Sequence, residues 1–157
     1  MTKVQLQMLL TILSLTNTGL TLEEMKSFAS INMAQWNMFK LIFKPLLILH
    51  NQYYKIIKRS FKYYILQLVC DERPLLYLNE VIKDPGPNKY LHQIHNELAK
   101  KIEQSPMCLR RLEEKFYHLH QSRISFQLKQ ELSKITNFLL VFNPHNKFEL
   151  CRYWSKL

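Results

Sequence analysis

Apolar residues recur at helical spacing along most of this chain. Over 4–15, Leu6, Leu9, Leu10 and Leu13 share a face, with Val4 and Ile12 flanking it. Asn17-Thr18-Gly19 ends that helix. Thr21 and Glu24 then form a capping box, in which the hydroxyl accepts from the Glu24 amide and the carboxylate reaches back. Leu22, Met25, Phe28 and Ala29 give this second helix its buried stripe. A third helix over 33–43 carries Trp36, Phe39, Leu41, Ile42 and Phe43, and Pro45 stops it.

The pattern then changes. Leu46 to His50 is short and apolar, Asn51-Gln52 can turn, and Tyr53 to Ile57 is aromatic and β-branched, which predicts a hairpin. A fourth helix follows with Ile57, Phe61, Tyr64, Ile65 and Val69 along one face. Three helices, a hairpin and a helix form the order of a winged-helix domain, placed at 1–69. Residues 70–88, with Arg73-Pro74 and Asp84-Pro85-Gly86-Pro87 around the apolar stretch Leu75 to Ile82, predict an exposed connector. Over 89–157 the chain reads as a helical arm. Leu91, Ile94, Leu98 and Ile102 form one stripe; Leu109, Leu112, Phe116 and Leu119 form the next, after Pro106. Leu128, Leu132, Ile135, Leu139 and Phe142 make a third, and Asn143-Pro144 caps a last helix carrying Phe148, Cys151 and Trp154. The fold class is mainly α: a winged helix followed by antiparallel helix pairs.

Composition narrows the chemistry. Only Gly19 and Gly86 are glycines, too few for a sandwich or barrel built on tight turns, and neither sits in a phosphate-binding loop. The three cysteines are far apart with no CxxC pair, which reads as reduced thiols in an intracellular protein; no secretory signal opens the chain. Apolar runs such as Leu46 to Leu49 are far too short to span a bilayer, so no membrane insertion is expected. The formal net charge of +10 favours acidic partners.

Four groupings invite a chemical reading. Tyr53, Tyr54, Lys55, Lys58, Arg59 and Lys62 interleave aromatic and basic side chains and form the candidate interaction surface. Lys58, Arg59 and Lys62 fall opposite the Phe61/Ile65 stripe, where a solvated face is the ordinary expectation. On the third helix Gln35, Asn37 and Lys40 are the residues available to read bases, among large apolar neighbours. His92 and His95 stand at i, i+3, and His118 and His120 face apart, with no cysteine or carboxylate at zinc-finger spacing; surface or boundary roles are expected and no metal is assigned. Glu113-Glu114 and Asp71-Glu72 are adjacent, diverge on a helix, and read as surface charge. No nucleophile, base and orienter assemble, so no catalytic residue and no cofactor are assigned. Ser155-Lys156-Leu157 matches a peroxisomal address, but Trp154 and Leu157 look buried in the last helix, which favours a chance match.

Leu13-Ser14-Leu15, Gly19-Leu20-Thr21-Leu22-Glu23-Glu24-Met25 and Trp36 before the wing resemble the winged helix that follows the NACHT module in STAND-type signal-transduction NTPases. Leu91-His92-Gln93-Ile94-His95-Asn96-Glu97-Leu98-Ala99, Arg110 to Leu119 and Tyr153-Trp154 resemble the helical arm of the same family. The resemblance implies an internal piece, or a truncated product, of a longer protein, with an NTPase domain before it and tetratricopeptide repeats after it. No GxxxxGK[ST] occurs in this sequence, so ATP hydrolysis does not carry over. Where the family places a histidine near the nucleotide, this chain has Lys58, a residue able to approach a phosphate.

The expectation is therefore a non-enzymatic regulatory and scaffolding segment, cytoplasmic, working through protein partners or its missing NTPase domain. The alternative is a DNA-binding winged-helix protein in the nucleus, and the C-terminal tripeptide supplies a peroxisomal one.

Overall fold

Three capping boxes set the starts of the first three helices. Thr2 with Gln5 opens α1 (Lys3–Leu15), Thr21 with Glu24 opens α2 (Leu22–Ala29), and Asn32 with Gln35 opens α3 (Met33–Phe43). In each, a side-chain oxygen takes an orphan helical N–H, which stabilises the end by about 1 kcal/mol. The structure, a computed structural model, describes residues 1–71, 89–104 and 108–157. It divides into two compact units, Met1–Pro85 and Gly86–Leu157.

In the first unit, a short 3-10 turn at Pro45 leads into β1 (Leu47–His50), paired antiparallel with β2 (Tyr53–Ile56), and α4 (Arg59–Asp71) follows. Asn51 and Gln52 both take positive φ, 45° and 67°, so the two-residue turn has the left-handed backbone that matches strand twist. Leu20 bridges to Tyr54 through both backbone bonds (3.0 and 2.8 Å), adding a one-residue third strand. Gly19 makes this approach feasible: its φ is +104°, and a Cβ there would lie 2.8 Å from the Tyr54 carbonyl oxygen.

The core of this unit gathers Leu9, Ile12, Leu13, Leu20, Met25, Trp36, Phe39, Ile56 and Ile65. Trp36 stacks with Phe39 and meets the edge of Tyr54, while Phe43 stacks on Phe39; each aromatic pair adds about 1 kcal/mol beyond its buried area. Ile12, expected at the flank of the α1 stripe, is at its centre, and Val4 is exposed. Buried Thr11 and Ser14 are satisfied by their own helix, donating to the Gln7 and Leu10 carbonyls. Leu41, Ile42, Ile57 and Tyr64, expected inside, are exposed.

In the second unit α5 (Lys89–Glu103) packs antiparallel on α6 (Leu109–Gln121), as the cross-pairs His95–His118 and Glu103–Lys115 require. Of the two expected stripes, Ile94, Leu98 and Ile102 and then Leu112, Phe116 and Leu119 are buried, whereas Leu91 is half-buried and Leu109, at the start of α6, is exposed. The third stripe is not one helix. It breaks at Ser133-Lys134 into α7 (Ser125–Leu132) and α8 (Ile135–Val141), and Asn137 and Val141 turn inward instead of Ile135, Leu139 and Phe142. Asn143 does cap a turn, accepting from the His145 and Asn146 amides, but α9 (Lys147–Trp154) begins three residues after Pro144. Leu150 and Tyr153 bury there; Phe148, Cys151, Trp154 and Leu157 are exposed. Beyond Asp71 the expected connector lies outside the described residues, as does Pro106.

Candidate functional site

Strand alternation divides the basic and aromatic residues of the first unit between two faces. Tyr54 and Ile56 lie inward with Leu47 and Leu49 as cross-strand partners; Tyr53 and Lys55 lie outward, opposite His50 and Ile48. Tyr54 is thus a packing residue, its ring 4.7 Å from that of Trp36. Lys58 and Arg59 are exposed where α4 starts, and the Lys58 carbonyl accepts from the Phe61 and Lys62 amides. Lys62 departs from the expected solvated face: it is half-buried, and its Nζ reaches the Thr16 carbonyl at 3.4 Å.

The α3 helix presents a surface of a different kind. Met38, Leu41 and Ile42, at i, i+3 and i+4, are 64%, 77% and 64% exposed, beside exposed Lys40 and Lys44. From Met25 to Cys70 the chain has no Asp or Glu, while it carries Lys26, Lys40, Lys44, Lys55, Lys58, Arg59 and Lys62. Gln35, expected to be free to read bases, is held in place. Its Oε1 accepts from the Asn32 amide, and its Nε2 donates to Gln5 Oε1.

The second unit holds a buried polar cluster that its linear spacing does not disclose. His95 Nδ1 and His118 Nδ1 are 2.7 Å apart, a contact that holds one shared proton. His118 Nε2 lies 3.3 Å from Glu114 Oε2 without closing into an aligned hydrogen bond, and both residues are fully buried. Burial, then the charges of His118 and His92, push the His95 pKa down to about 3, against the opposing pull of Glu114. His95 is therefore neutral across physiological pH. Glu114, expected at the surface, and His95 and His118, expected at a boundary, are inside. The i, i+4 spacing of Glu114 and His118 beside the Phe116/Leu119 stripe was the available signal.

Next to this cluster, Lys115 is buried and bridges Glu103 (2.6 Å) and Glu131 (3.1 Å). Burial alone would raise the Glu131 pKa, but hydrogen bonds from Lys134 and Lys115 outweigh it and hold the carboxyl below its ordinary value. Among the described residues no group of three or more His, Cys, Asp or Glu is placed to hold a metal ion, and no helix is long and apolar enough to cross a membrane. Cys108 and Cys151 are free and exposed. Compared with protein-family models, with curated proteins and with solved structures, the chain gives no match.

Proposed function

We propose that this chain is a non-enzymatic regulatory and scaffolding segment that works by binding protein, either a partner or a nucleotide-binding domain joined to it. The observation that carries this reading is the apolar face of α3. Met38, Leu41 and Ile42 are large, exposed and adjacent, on an acid-free and lysine-rich stretch of chain. Exposed apolar groups of this size with a charged rim suit a protein surface of complementary acidity. They suit the edges of bases poorly, and Gln35 is tied to Asn32 and Gln5.

The helix, helix, helix, hairpin, helix order of the first unit, with Leu20 pairing to β2 between α1 and α2, supports a winged-helix assignment. The antiparallel helices of the second support a helical arm. Together with the residues quoted above, they support the proposed kinship with STAND-type NTPases, nearest to tetratricopeptide repeat protein 41 and more distantly to nephrocystin-3. In that setting the first unit docks on the nucleotide domain and the arm transmits its position, a rigid-body device. Lys58, exposed at the start of α4, is the residue that would approach a phosphate.

Leu41→Ser with Ile42→Ser tests the reading, because both side chains are solvent-exposed and their loss leaves the core intact. Complexes purified from cells with this variant should lose proteins that accompany the natural chain, with circular dichroism unchanged. Identical complexes from both would contradict the proposal. For the DNA alternative the readout is duplex titration at several salt concentrations; steep loss with salt and a sequence preference would favour it.

A further inference from the structure

A cavity of about 580 Å³ opens in the second unit. Leu91, Leu119, Leu128 and the last residue, Leu157, make its apolar lining, and His92, His95, His120, Arg123 and Lys156 are chief among its polar groups; no Asp or Glu lines it. This combination, apolar walls with a few convergent donors, is the usual build of a small-molecule site. We propose that the cavity binds a small organic anion, a carboxylate or phosphate ester carried on a short apolar body.

Two independent observations support an anion there. Both ring nitrogens of His120 are buried without a hydrogen-bond partner on the protein, although the residue lines the cavity. Buried polar atoms are nearly always paired, so these two are available to a ligand once the ring turns toward the cavity. The second observation is the charge balance around the rings. Burial and then Arg123 lower the His92 pKa; burial, then Arg152 and Lys156, lower that of His120, with Glu149 opposing. His95 is held neutral by burial, His118 and His92, with Glu114 lying behind His118. Around His92 and His120, cations outweigh carboxylates. An anion reverses that imbalance: it pairs with Arg123 and Lys156, accepts from imidazole N–H groups, and raises the pKa of His92 and His120. Binding consequently takes up protons, and affinity rises as pH falls.

Arg123 has φ +58°, at the corner between α6 and α7, so Arg123→Asn removes its charge while keeping a residue that tolerates this backbone. The experiment follows histidine ring resonances of the whole chain by NMR during titration with hexanoate, phenyl phosphate, inorganic phosphate and hexanol. Hexanoate or phenyl phosphate should shift the His92 and His120 signals saturably and leave His145 unmoved. Binding should tighten between pH 8 and 6 and weaken about tenfold in Arg123→Asn. Which of the two saturates first separates a carboxylate ligand from a phosphate ester. Equal shifts with hexanol would overturn the requirement for an anion, and equal binding of inorganic phosphate would overturn the apolar body. No saturable shift with either organic anion would overturn the site.

Discussion

At the residue scale, two positions carry more than their size suggests. Gly19 holds a positive φ directly beneath the Tyr54 carbonyl, where the loop before α2 joins β2. A methyl group would meet backbone rather than a flexible side chain, so neither partner can yield cheaply. Gly19→Ala should destabilise the first unit by about 3 kcal/mol, from strained φ together with the clash, measured by urea unfolding. Near-natural stability would show that the loop retreats from β2 without cost. His95 is the other such position. Its ring falls beside the Ile94/Leu98 stripe, and its partner His118 is 23 residues away in sequence, so periodicity indicated burial of the helix face but not the pair. Glu114 differs from expectation for a related reason: a carboxylate next to Glu113 looks like surface charge, and nothing in the local spacing shows that the fold buries it completely.

At the element scale, stripes were legible where a helix meets one neighbour along its length. The Ile94/Leu98/Ile102 and Leu112/Phe116/Leu119 faces are of this kind. Short helices were not legible. In α8 and α9 the apolar residues outnumber the space for them, and packing selected Val141, Leu150 and Tyr153 while leaving Leu139, Phe148 and Trp154 exposed. The hairpin was legible from its flanking strands even though Asn-Gln is a weak turn, because a short apolar run precedes it and an aromatic, β-branched run follows it. Gln52 bears the strain of that turn, with φ 67°. Gln52→Gly should stabilise the first unit by about 1 kcal/mol, seen as a higher unfolding midpoint in urea. A lower midpoint would mean that the side chain, which donates to Tyr53 Oη at 3.4 Å, contributes more than the strain removes.

At the scale of the whole molecule, the two units differ in how they should respond to acid. Every histidine with a depressed pKa, His92, His95 and His120, is in the second unit. A histidine whose folded pKa lies below its unfolded value contributes stability that is full above about 6.5. That contribution is lost as pH falls and the unfolded chain takes up the proton, for His95 down to about 3. Acid should therefore unfold the second unit first. Trp36 reports the first unit and Trp154 the second, so single-tryptophan variants can follow each by fluorescence. The Trp154 signal should change at a higher pH than the Trp36 signal; coincident acid transitions would contradict this. The two proposed sites follow the same division, the exposed α3 face in one unit and the histidine-lined cavity in the other.

The central claim is that the α3 face binds protein, and site-specific photo-crosslinking tests it most directly. A photoreactive residue placed at Leu41, in the full chain expressed in cells, should give discrete protein adducts that disappear when Lys40 and Lys44 are changed to Glu. Nucleic-acid adducts at Leu41, or none above those from the exposed control position Gln67, would contradict it.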